Sequence, residues 1–137
     1  MEKDSDKRKV LEIPSKIELL NSIEKLIDQI SDEYELNQEV YGKVLIAAIE
    51  AVNNAIVHGN KLDEQKKVAI EILKEDEHIR MFVEDQGKGF DYANVPDPTL
   101  PENIENIHGR GVFLMGHLSD EIHFYDEGRK VEMIFNI

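Results

Sequence analysis

Apolar residues recur along the chain with two different periods, and the switches between them divide it into elements. Positions 10–13 form a short apolar run closed by Pro14, which predicts a strand. Ser15 and Glu18 stand three apart in the pattern of a capping box, so a helix is predicted to start there. Ile17, Leu20, Ile23, Leu26, Ile27 and Ile30 follow at helical spacing, with Lys16, Glu24, Lys25 and Asp28 between them, so this helix covers a core with one face. A second helix is predicted over positions 37–58, closed near Gly59 by a left-handed residue. Apolar side chains between positions 44 and 57 take up most of its circumference, which places it largely inside the protein. Glu50, Asn53 and Asn54 interrupt that surface.

The period then changes to two. Val68, Ile70 and Ile72 alternate with polar residues, as do Ile79, Met81 and Val83, and Glu75, Asp76 and Glu77 between them suit the turn of a hairpin. Asp85-Gln86-Gly87-Lys88-Gly89-Phe90-Asp91 follows directly, and then a loop holding Pro96, Pro98 and Pro101, with a helical turn expected near positions 103–107. His108-Gly109-Arg110-Gly111 leads into a short apolar helix at positions 112–118. Runs at 121–125 and 130–137 flank Asp126-Glu127-Gly128-Arg129 as a closing hairpin. Strand pairs joined by short turns require a mixed, mainly antiparallel sheet, and the helices must gather on one face of it. The predicted class is an α+β two-layer sandwich.

Composition narrows the possibilities. A chain of 137 residues that is 41% hydrophobic has one domain's worth of core, assigned to positions 9–137, behind a charged stretch 1–8 expected to be disordered. The net charge of −13 repels nucleic acid and anionic lipid over a Debye length of about 8 Å, and favours basic protein partners. No cysteine is present, which removes disulfides, thiolate metal sites and cysteine nucleophiles. The charged N-terminus lacks the apolar run of a signal peptide, and no segment is expected to approach the ~20 apolar residues of a membrane span. These features together lead to the expectation of a cytoplasmic protein without nucleic-acid or membrane partners.

Three polar features carry chemistry. Glu50 and Asn54 are four apart on the apolar helix, one turn from each other on one face, where something polar must meet them. Asp85-x-Gly87-x-Gly89 lies where a strand enters a long loop, its glycines allowing positive φ or close backbone approach to a flat ligand, its carboxylate able to accept from an exocyclic amine. It is not a dinucleotide fingerprint, because Tyr92 stands where a third glycine is required. Gly109-Arg110-Gly111 ahead of a helix offers free N–H groups and a dipole end for phosphate oxygens, and positions 91–108 have the length of a lid. Taken singly, each has a bland reading: two caps of a neighbouring loop, an ordinary turn, a hinge. Their order along the chain carries more weight.

In that order the sequence resembles the GHKL ATPases, the superfamily of gyrase, sensor histidine kinases and the MutL repair proteins. Glu50-Ala51-Val52-Asn53-Asn54-Ala55-Ile56-Val57-His58-Gly59 is similar to their N box, Asp85-Gln86-Gly87-Lys88-Gly89-Phe90 to their first glycine box, and Gly109-Arg110-Gly111-Val112-Phe113-Leu114-Met115 to their second. The small anti-sigma factor serine kinases are the nearest in character. The resemblance implies the histidine kinase-like (Bergerat) fold and ATP with Mg2+ as ligands. It implies Asn54 as metal ligand, Glu50 as catalytic base and Asp85 as reader of adenine. Asn53, His58, Gly87, Gly89, Phe90, Gly109, Arg110, Gly111 and Val112 would complete the nucleotide site. The implied partners are an anti-anti-sigma (STAS-type) protein, a sigma factor and a second copy of the chain. Two other functions use the same boxes: a nucleotide-responsive regulator without catalysis, and a stand-alone ATPase domain of a histidine kinase.

Overall fold

The computed structural model of the chain describes residues 8–88 and 107–137, with side chains in the second stretch from residue 111 onward. Strand β1 (Arg8–Pro14) starts inside the stretch expected to be disordered. A 3-10 turn (Ile17–Leu19) leads into helix α1 (Leu20–Tyr34), and α2 (Gln38–Asn54) follows. Strands β2 (Lys67–Glu75) and β3 (His78–Glu84) form the expected hairpin. Helix α3 (Ile107–Leu118), β4 (Glu121–Tyr125) and β5 (Lys130–Asn136) complete the order. The class is α+β, as the periodicity predicts. Every strand pairing is antiparallel, and β5 lies between β3 and β4, giving the order β1-β2-β3-β5-β4.

The two-residue period decides which side of the sheet meets the helices. Val68, Ile70 and Ile72 of β2, Ile79, Met81 and Val83 of β3, and Val131, Met133 and Phe135 of β5 are buried in one core with Ile23, Ile27 and Ile30 of α1 and with α2. On the opposite face the nearly buried Glu132 is paired with Arg80 and accepts from the Tyr125 hydroxyl, which compensates its loss of water.

Several local expectations are corrected. Ser15 does not cap a helix: its hydroxyl donates to Lys66 O at 2.7 Å, and the 3-10 turn beginning at Ile17 has no side-chain cap. The second helix does have its cap at Asn37, whose side chain accepts from Val40 N–H at 2.8 Å. Beyond Asn54 it widens into a π-helical segment, Ala55–Gly59. Gly59 is not left-handed; the positive φ values fall on Lys61 and Leu62, at 56° and 61°. The stretch Gln38–Gly59 spans 22 residues with a window of mean hydropathy 1.4, so one segment is long and apolar enough to cross a bilayer. Here Val44, Ala47, Ala48, Ala51 and Val52 spend that apolarity in the protein core.

Candidate functional site

Four parts of the chain converge on one cavity. Ala51, Asn54 and Ala55 come from α2 and its π-helical end, Val83 and Asp85 from the end of β3, Met115 from α3, and Phe124, Gly128, Arg129 and Val131 from the closing hairpin. Asn54 and Asp85, far apart in sequence, thus line the same space. Phe124, Gly128, Arg129 and Val131 belong to no motif, and only folding brings them here.

Within this cavity Asn54 Oδ1 is buried and has no hydrogen-bond partner, the one side-chain atom in that condition among the described residues. Glu50, one turn earlier and half-buried, lies beside α3: a β-carbon added at Gly111 would come within 3.1 Å of Glu50 Oε1. A larger residue at position 111 would displace that carboxylate. Asn53 is half-buried on the same helix. His58 sits in the π-helical segment, where burial and then the charge of Lys61 hold its imidazole below the usual range, so it is neutral at pH 7.

The turn after β3 is fixed by three successive N–H groups. Asp85 N–H donates to Arg129 O at 2.9 Å, Gln86 N–H to Asn60 Oδ1 at 2.7 Å, and Gly87 N–H to Asp85 Oδ1 at 2.8 Å. Both flanking glycines are there for space, not for positive φ. A β-carbon on Gly87 would stand 1.9 Å from Gly59 O, and one on Gly59 would stand 2.4 Å from Asp85 Oδ2. Neither a carbonyl in a helix end nor a held carboxylate can step aside, so Gly87→Ala is expected to destabilise the fold by about 3 kcal/mol, read from the denaturant midpoint.

Burial raises the pKa of Asp85 above its ordinary 3.8, and the Gly87 N–H with the charges of Arg129 and Lys66 only partly offsets it. With the folded value raised, the stabilising term is complete below pH 3.8 and is lost as pH rises through the folded value, so the ionised carboxylate opposes folding at neutral pH. Asp85→Asn keeps an oxygen for Gly87 N–H and removes the charge. It is expected to raise the melting temperature at pH 7 and to flatten its dependence on pH in the acid range.

As described from Ile107 onward, helix α3 already contains Gly109, Arg110 and Gly111, which the sequence predicts ahead of it. Gly89, Phe90 and positions 91–106 of the expected lid lie outside the described residues. Val112 is buried, within the core.

The sequence profile of the histidine kinase-like ATPase domain matches residues 13–135, which takes in α2, the turn after β3 and α3. The chain belongs to that family. A member in Listeria monocytogenes, serine-protein kinase RsbW, is 27% identical over 130 residues, covering 90% of this chain and 83% of the relative. An anti-sigma F factor of Anoxybacillus flavithermus is 34% identical over 91 residues, covering 62% of each chain. A serine-protein kinase RsbW of Staphylococcus epidermidis is 35% identical over 99 residues, covering 65% of this chain and 61% of the relative. The family thus places an ATPase-type fold around the cavity that Asn54 and Asp85 line.

Proposed function

We propose that this ATPase-family chain binds Mg-ATP between α2, the turn after β3 and α3, transfers the γ-phosphate to a serine or threonine of an anti-anti-sigma (STAS-type) partner, and sequesters a sigma factor. The observation that carries this reading is Asn54 Oδ1. An amide oxygen shut away from water without a donor costs about 1–3 kcal/mol, which a ligand can relieve. Magnesium takes oxygen ligands and keeps several waters, so one amide oxygen together with phosphates is a sufficient protein share. The donor chemistry fits the ion.

In this reading Asp85 accepts a hydrogen bond from the adenine amine at one end of the site, while Asn53, Asn54 and His58 line the phosphate end. By the family resemblance Gly89 and Phe90, outside the described residues, are assigned to the adenine side, and the Gly109-Arg110-Gly111-Val112 stretch of α3 to the phosphates. Bound magnesium neutralises phosphate charge, which phosphoryl transfer needs more than covalent help from the protein. Glu50 takes the proton of the attacking hydroxyl, one helical turn from the metal ligand. A neutral His58 leaves the charge balance to the metal and Arg110. The cavity measures about 10 Å3, room for a single water.

The relatives named serine-protein kinase and anti-sigma F factor support the choice of reaction and partners. The sheet face turned away from the helices carries Val10, 58% exposed, beside the half-buried Leu73 and Phe82, which supports pairing of two copies. Incubation with labelled ATP, magnesium and the cognate antagonist tests the proposal: a serine or threonine of the antagonist should become labelled. ATP uptake without transfer would leave the non-catalytic regulator as the better account.

A further inference from the structure

We propose that Asn60 is a positioning residue for base selection: it fixes the turn that carries Asp85 to the end of the helix that carries Glu50 and Asn54. This rests on the nucleotide reading given above. Asn60 directly follows the π-helical segment and is 0% exposed, yet every polar group it owns is used. Its side-chain nitrogen donates to Ser15 Oγ at 2.9 Å and to Lys67 O at 3.0 Å, and its main-chain N–H donates to Ala55 O at 2.8 Å. Those three bonds close a structural knot among the end of β1, the start of β2 and the helix end.

The fourth is different in kind. Asn60 Oδ1 accepts Gln86 N–H at 2.7 Å, the peptide immediately after Asp85. Gln86 in turn accepts Lys67 N–H through its side-chain oxygen at 2.6 Å, so the turn is held from the same side twice. The preceding residue, Gly59, lies directly under Asp85 and Gly87, closer than any side chain would permit. Gly59 and Asn60 therefore form the floor on which Asp85 rests.

That floor is continuous with Asn54. Only the five residues of the π-helical segment, Ala55–Gly59, lie between Asn54 and Asn60. The separation between the oxygen offered to the metal and the carboxylate offered to the base is thus set by one short helical rod, with Asn60 as its clamp. Losing the clamp leaves the turn to the Asp85 N–H on Arg129 O and the Gln86 side chain on Lys67 N–H, removes the direct tie to the helix end, and lets the carboxylate drift relative to the phosphate end. A drift of that kind weakens recognition of the base and spares recognition of the triphosphate.

Calorimetric titration of the full chain with Mg-ATP and with Mg-GTP tests this. Asn60→Ala is expected to lower ATP affinity about tenfold, the usual weight of one misplaced hydrogen bond, with GTP affinity unchanged, so that the ATP-to-GTP ratio collapses. Ser15→Ala cuts the same knot but leaves Asn60 bonded to Gln86; it should lower stability and keep the ratio. Asn60→Asp retains an oxygen for Gln86 N–H and should also keep the ratio. An Asn60→Ala chain with the wild-type ratio, or a Ser15→Ala chain that loses it, overturns the proposal. Should Asn60→Ala fail to fold, Ser15→Ala and Asn60→Asp carry the test, and loss of the ratio in either overturns it. A folded wild-type chain that takes up neither nucleotide overturns the nucleotide reading and this inference together, whereas ATP uptake with an unmoved ratio in Asn60→Ala overturns the inference alone.

Discussion

Asn54→Ala is expected to reduce Mg-ATP affinity about 100-fold, about 2.8 kcal/mol at 1.4 kcal/mol per factor of ten, and to leave the fold as stable as before or more so. The two readouts work against each other in a useful way. A side chain that serves the fold contributes bonds, and its loss lowers the melting temperature. Asn54 Oδ1 contributes none, because it is buried without a donor, so its removal takes away a cost. Calorimetry and thermal unfolding on the same preparation check both halves. A fall in melting temperature with nucleotide uptake unchanged would make Asn54 a structural residue and remove the main support for the metal.

Glu50→Gln is expected to lower phosphoryl transfer to the antagonist by about 10^2 to 10^4-fold while nucleotide affinity stays within about twofold of the wild type. The substitution keeps the shape that fits against Gly111 and removes only the capacity to take a proton. Single-turnover transfer, measured beside ATP titration, separates the two effects. The same variant decides between the enzyme and the non-catalytic regulator. If regulation of the partner depends on transfer, Glu50→Gln abolishes it; if nucleotide binding alone biases the partner surface, regulation persists.

Much of the fold and part of the site were legible in the sequence. Alternation in β2 and β3, and helical spacing in α1 and α2, reflect which side of each element is wet, a local property that survives in the order of residues. The apolar α2 interrupted by Glu50, Asn53 and Asn54 announced a polar notch in a buried helix. Asp85 at a strand end followed by glycines announced a tight turn. Each of these is written within ten or so consecutive residues.

Other features depend on segments that meet only after folding. Gly59 and Gly87 both look like residues chosen for backbone freedom; in fact each is small because the other segment lies against it. Asn60 lies just past the predicted helix end at Gly59, and nothing around it in sequence foretells bonds to Ser15, Lys67 and Gln86. Ser15 matched a capping box, yet a carbonyl at Lys66, brought near by the pairing of β1 with β2, takes its hydroxyl instead. The insertion of β5 between β3 and β4, which brings Arg129 and Gly128 to the cavity, is likewise set by tertiary contacts. Residue order alone was enough for most of the elements, their buried faces and the polar notch that holds Glu50 and Asn54, because periodicity and residue chemistry are local. Strand order, the glycine contact and the Asn60 clamp were decided by the tertiary structure, because they arise from pairs of segments whose separation along the chain carries no record of their meeting.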